Sequence, residues 1–456
     1  MMNYLIKFII LFYILVFGIF SNDIPVYRVV IDPGHGGAPK NVYDDKWDPI
    51  TKQYLDYYNI GMRYKNYYEY KIVLQIARKV YRYLKFTETE EGWEKFQWLL
   101  KQFSEQTNFK RIIIKTYLTR TNNWEDRGIP ASSRIVNDPY RLYDYPKNKK
   151  IYPGRISYIN SLKPHLVISI HLNPGGPGHP GGMAAVLAPG YKTFDLLRKV
   201  TLGKEKPDVF NTLPWAPFWL VNEPGWSKFE MAMADAWVYF HGFRWHKDTK
   251  KPWLDKDRGI RYNMVSWRYR DKPDWVIRAI KQRKYHIPGP YTLEYDKFIP
   301  EGPFWDRERS ELEYWRREKP LPEYNIFFGG DNHYASDELL RFLQYGLRIQ
   351  KPELDKQKKI SEIIDPFVST YGLPTLVNAI CAYLEIAHLD VKRDRELVLN
   401  YQYEIARSLA VGIYSLFAGL ELKKDYNGPF KPRGQIVDFN KYINHKEGNY
   451  FEKVVE

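Results

Sequence analysis

The stretch that most constrains this chain is Val30-Ile31-Asp32-Pro33-Gly34-His35-Gly36-Gly37. An apolar run stops at a glycine-rich turn, and one histidine stands in that turn. The pattern predicts a strand whose carboxyl end presents an imidazole, where open α/β sheets place their ligands. The glycines permit a sharp turn and leave room beside the ring. A second strand ending in a histidine follows much later, at Leu166-Val167-Ile168-Ser169-Ile170-His171-Leu172-Asn173. Two such histidines point to a metal site and, with it, to an enzyme.

The rest of the chain is long enough to build a fold around that site. Its 456 residues, 44% of them hydrophobic, suffice for one large domain or two ordinary ones. Residues 1–21 read as a secretory signal peptide: Lys7 precedes 13 apolar residues, Phe8 to Phe20, and polar residues follow. That run is short against the roughly 20 residues of a membrane span, although an uncleaved anchor is the competing reading. No cysteine lies near the junction, so a lipoprotein is not expected. Cys381 is the only cysteine, which excludes an internal disulfide despite the expected export. The net charge of +15 favours polyanions, and export turns that preference toward anionic lipid or cell wall. A solvated basic surface explains the charge equally well. No helix-turn-helix, RNP motif or zinc-finger spacing argues for nucleic acid.

Local patterns give a coarse map. Tyr27 to Ile31, Arg111 to Leu118, Leu166 to Ile170 and Met183 to Leu187 read as strands. Glu69 to Leu84 has helical periodicity, and Arg155 to Leu162 and Glu396 to Ala418 also read as helices. Loops are expected over 38–66 and 121–153, with a polar, aromatic segment at 85–108. Strands alternating with helices predict an α/β fold: a twisted, mostly parallel sheet with helices on both faces, plus a large Trp-rich insertion. Ten of the 14 tryptophans lie between Trp215 and Trp315. The expected division is a catalytic domain at 24–190 and 367–425, an insertion or subdomain at 191–366, and a polar, peripheral tail at 426–456. His333 reads as part of a turn leading to a helix from about Asp337, capped by Ser336.

Three ligand candidates stand at element ends. His35 follows a strand, His171 ends one, and Glu69 opens a helix. Two imidazoles and a carboxylate, with a water in the open position, suit catalytic zinc. Each histidine alone reads equally well as a hydrogen-bonded residue at a loop edge, and Asp48 and Asp56 compete with Glu69.

Taken in order, these segments resemble the zinc-dependent N-acetylmuramoyl-L-alanine amidases of the amidase 3 type. Leu74, Ile76 and Ala77 follow Glu69 at the family's offsets. Leu118-Thr119-Arg120 is similar to its strand-ending Leu-Thr-Arg, and Arg155 and Asn160 precede the histidine strand as its Arg and Asn do. Leu384-Glu385-Ile386-Ala387 resembles the segment carrying its catalytic glutamate, and Glu396, Leu397, Ile405, Ala406 and Gly412 follow its last helix. The likeness covers roughly 27–190 and 374–418. It departs in an expanded His35–Glu69 gap and in the 11 residues from Pro374 to Glu385, where Asn378 stands nearer the usual position.

The resemblance implies that His35, Glu69 and His171 bind Zn2+ and that Glu385 is the general base acting on a zinc-bound water. It implies a substrate, peptidoglycan, cut between N-acetylmuramic acid and L-alanine, and a place in the periplasm or cell envelope. The alternatives are an amidase-like module that binds wall material without cleaving it, and a zinc amidase or peptidase for another substrate. The insertion is expected to use its tryptophans as its own core; a glycan-stacking groove and a lid displaced by a regulatory protein are the other two readings. Membrane contact is expected only through the signal peptide.

Overall fold

The computed structural model describes residues 24–37, 60–126, 141–142, 149–188, 311–321, 329–368, 373–374, 377–443 and 448–452, and the backbone of short strands at 45–48, 53–56, 145–147, 222–223 and 226–227. The signal-peptide reading over 1–21 and most of the Trp-rich stretch lie outside the described residues.

A six-stranded sheet organises the molecule. Its strands are β1 (Val26–Pro33), β2 (Ile113–Leu118), β3 (Leu166–Asn173), β4 (Ala184–Leu187), β5 (Phe367–Val368) and β6 (Ile380–His388), in the order β5-β4-β6-β3-β1-β2. β1 is parallel to both neighbours, with Ile31 opposite Leu118 and Pro33 opposite Ile170. β3 and β6 are also parallel, and only the β4–β6 pair is antiparallel. The expected α/β, mostly parallel sheet is thus observed. All nine residues of β6 are buried, and β3 is buried up to Leu172. Both faces of the sheet centre are therefore covered, which explains the continuous apolar runs of these strands.

The helices are α1 (Glu69–Lys85), α2 (Glu90–Phe103), α3 (Arg155–Ser161), α4 (Gly330–Gln350), α5 (Lys392–Asn400) and α6 (Gln402–Ala418). α1 buries Ile72, Val73, Ile76, Ala77, Val80 and Leu84, a stripe of helical period, against β1, β2 and β3. α6 packs between α1 and α4, and α4 covers β6 and β4. From β1 the chain crosses through α1 to β2 on one side, then returns to β3 on the other. Strand order therefore reverses between β1 and β3, where α/β sheets open a crevice at their carboxyl ends.

Several local expectations change. The segment 85–108 contains α2, whose Thr89 caps the helix by accepting from the Gly92 amide at 3.1 Å and whose Trp93, Phe96, Leu100 and Phe103 are buried. The region from Glu396 to Ala418 is two helices, because Tyr401 leaves helical geometry at φ −120° and ψ 33°. α4 starts at Gly330 rather than near Asp337. Its first-turn polar residues accept from distant partners: Asp331 from the Tyr442 hydroxyl at 2.7 Å, and Asn332 Oδ1 from the Cys381 amide at 2.8 Å. Ser336 sits inside the helix, donating to the Asn332 carbonyl at 2.7 Å. α4 falls within the range assigned to the insertion, yet it is part of the layer over the sheet. The tail is likewise not peripheral where it is described. Phe439 stacks on Phe417 at 4.6 Å, and Tyr442, Tyr450 and Phe451 are buried. Four aromatic rings spread among polar residues show no periodicity, so their burial is invisible until Tyr27, His165 and Phe417, the rings they pack against, come together.

Candidate metal centre

The crevice at the β1/β3 reversal holds three of the anticipated side chains. His35 stands just beyond β1 in the left-handed region, φ 57°. His171 is on β3, and Glu69 is the first residue of α1. Glu69 Oε1 lies 3.2 Å from His35 Nε2 and 3.0 Å from His171 Nδ1, and the two ring nitrogens are 3.2 Å apart. Among the described residues this is the one group of three or more such side chains that could hold a metal ion. Asp48 and Asp56, the competing carboxylates, lie on the separate ladder of Asp45–Asp48 with Gln53–Asp56.

The donor set fits zinc. Bonds of about 2.0–2.2 Å in a tetrahedral site place donors about 3.3–3.5 Å apart. The observed triangle is close to one face of that tetrahedron. Burial lowers the His171 pKa and neighbouring His35 adds to this, against the pull of Glu69 and Asp32, a direction that favours the neutral form a metal ligand needs. Burial alone would raise the Glu69 carboxyl. The adjacent His35 and His171 outweigh it and hold the group well below the usual carboxylate range.

Backbone groups fix the carboxylate. The amides of Leu172 and Met62 donate to Glu69 Oε1 and Oε2 at 3.0 and 2.5 Å, and the Glu69 amide donates to the Met62 carbonyl at 2.9 Å. Two glycines make the close approach possible. A Cβ on Gly34 would meet the His171 ring at 2.3 Å. One on Gly61, at φ +83°, would meet His35 at 2.5 Å and Glu69 at 2.6 Å.

Glu385 lies beside this triangle. It is the Cα partner of His171 in the β6–β3 ladder and is 6% exposed. Burial first, and then the Glu69 charge, push its carboxyl well above the ordinary range. Its Oε2 has no hydrogen-bond partner among the described residues. Tyr383, two residues earlier, stacks on the His171 ring at 4.3 Å. Asn378 precedes β6 and is turned to other work: its amide donates to Asn160 Oδ1 at 2.7 Å, and its side chain donates to the Tyr450 carbonyl.

The residues that support the triangle carry a signal of their own in the sequence. Asp32 and Ser169 are polar residues that interrupt the apolar runs of β1 and β3, and both are fully buried. Burial raises the Asp32 carboxyl, but Arg155, Thr119, His171 and Ser169 outweigh it and lower the pKa. Arg120 donates to the carbonyls of Pro33, Gly34 and Tyr70 at 3.0, 2.8 and 2.9 Å, tying the histidine turn to α1.

Fold and site together define an α/β protein with a candidate two-histidine, one-carboxylate metal centre at the sheet's switch point. No family model matches this chain, and no curated protein does. Solved structures of N-acetylmuramoyl-L-alanine amidases are among those it resembles. The amidase from Clostridium difficile 630 is 12% identical, with 86% of this chain and 96% of that chain covered and a TM-score of 0.28. The catalytic domain of CwlV, an amidase from Bacillus (Paenibacillus) polymyxa var. colistinus, is 11% identical over 85% and 96%, with a TM-score of 0.26. Ami1 from Mycobacterium smegmatis is 18% identical over 40% and 67%, with a TM-score of 0.21.

Proposed function

We propose that this protein is an exported zinc hydrolase that cleaves the amide between N-acetylmuramic acid and L-alanine in peptidoglycan. The observation that carries the reading is the His35–Glu69–His171 donor triangle with the Glu385 carboxyl on the neighbouring strand position. His35, Glu69 and His171 would hold the ion. Zinc bound there supplies a Lewis acid that polarises the amide carbonyl and makes water acidic enough to ionise near neutral pH.

The chain's own groups do the remaining work. Glu385 takes the proton of the attacking water and later delivers it to the leaving L-alanine amine. Its raised pKa suits the second step, and a bound cation opposes the Glu69 field that helps raise it. Gly34 lets the turn pack directly against the His171 ring, while the Leu172 and Met62 amides keep Glu69 from swinging out.

Two features support the wider reading. The apolar run at 8–20 supports export, and the layered packing of β1 to β6 supports a catalytic unit built from 24–190 and 367–425. Helix α4 completes that unit from within the 191–366 stretch. Digestion of purified peptidoglycan, followed by mass spectrometry of the fragments, tests the proposal. New lactyl carboxylates on muramic acid with free L-alanine amines, abolished by a zinc chelator, are expected. Cleavage at another bond, or none with zinc present, overturns it.

A further inference from the structure

Behind the donor triangle runs a chain of buried side chains. His171 Nε2 lies 3.1 Å from Ser169 Oγ, which lies 2.9 Å from Asp32 Oδ2. The other oxygen of Asp32 accepts from Thr119 Oγ1 at 2.6 Å and from Arg155 Nη1 at 3.0 Å. Asp32, Ser169 and Thr119 are fully buried and Arg155 is 4% exposed. Each hydrogen in this chain therefore has to be placed on a protein neighbour.

The contacts fix the hydrogen on Nε2. A carboxylate ion-paired with a buried guanidinium is an acceptor only. The single Ser169 hydroxyl proton goes to Asp32, so Ser169 offers His171 lone pairs alone. His171 Nε2 must then carry the ring hydrogen. An imidazole that binds a metal keeps one hydrogen; with it on Nε2, the nitrogen left for the ion is Nδ1, the atom that faces Glu69 and His35. Without Ser169, Glu69 Oε1 at 3.0 Å would draw the hydrogen onto Nδ1 and block the ligand lone pair.

We propose that Ser169 and Asp32 are positioning residues that lock His171 with Nδ1 bare, so that the affinity of the site for zinc is set by an Asp32–Arg155 ion pair away from the ligands. The inference rests on the reading of this site as a metal centre. Groups of this kind change metal affinity about 10–100-fold when removed.

The test uses the full chain and Zn2+ alone, titrated against a competing chelator. Ser169→Ala and Asp32→Asn should each bind zinc about 10–100-fold more weakly than the unaltered protein. Ser169→Thr, which keeps the hydroxyl, should restore binding. In the metal-free protein, the imidazole nitrogen resonances of His171 should report hydrogen on Nε2, and Ser169→Ala should lose that preference. Zinc binding by Ser169→Ala weakened by less than about tenfold overturns the proposal. Should Asp32→Asn fail to fold, Ser169→Ala decides alone. A wild-type chain that binds no zinc overturns the metal-centre reading, and this inference with it.

Discussion

Glu385 and His171 are Cα partners across two parallel strands, which places a carboxyl and an imidazole side by side on one face of the sheet. Residues paired this way point the same way from the pleat. The spacing between them, more than 200 positions in the sequence, is thereby reduced to the distance between adjacent strands.

This pairing separates the roles of the two groups. Glu385→Gln keeps the shape and removes the proposed base. It should retain zinc at one ion per chain, measured by elemental analysis, while kcat falls about 10²–10⁴-fold. A variant with unchanged kcat would exclude Glu385 as the base.

The proposed ligands should behave differently. His35→Ala and His171→Ala should both lose zinc and activity together. Metal removal should also lower the melting temperature of the unaltered protein. Zinc at 100 times its Kd should restore about 2.7 kcal/mol of stability by mass action. A melting temperature indifferent to zinc would contradict this.

Gly34 tests the tightness of the site. The Cβ of Gly34→Ala would sit 2.3 Å from the His171 ring. Overpacking of this kind costs about 1–3 kcal/mol. The variant should unfold at lower denaturant and bind zinc more weakly, because the imidazole has to shift.

His165 gives a pH dependence outside the metal site. Burial, with the Arg28 charge adding to it, lowers its pKa to about 4, and the Arg28 amide donates to the Nδ1 lone pair at 3.1 Å. The unfolded chain binds a proton near pH 6.5 and the folded chain does not. Stability is therefore complete above about pH 6.5 and falls as pH drops toward 4, by on the order of 3 kcal/mol. Denaturant unfolding of His165→Gln across this range should show a shallower slope.

Phe439 tests whether the tail belongs to the core. Its ring stacks on Phe417 at 4.6 Å and lies 6.0 Å from Tyr27. Phe439→Ala should cost about 3–5 kcal/mol, the range for a buried aromatic. A loss below 1 kcal/mol in urea unfolding would return the tail to the periphery.

Much of this protein is readable along the chain. Strands β1 and β3 announce themselves as apolar runs, α1 by its periodicity, and His35 by the glycines around it, because each is a local property of consecutive residues. Glu69 is legible as a ligand candidate because it opens a periodic helix. What the chain alone leaves open is which distant groups meet. Asp48, Asp56 and Glu69 are equivalent carboxylates until α1 docks against β1. Glu385 and Asn378 are alternatives until β6 takes its register beside β3. Asp32 and Ser169 look like interruptions in apolar strands until β1 and β3 pair and turn them toward each other. Strand identity and ligand type follow from short-range pattern. Register, helix docking and the exclusion of water around Asp32 depend on contacts across more than a hundred residues, and only the tertiary structure decides them.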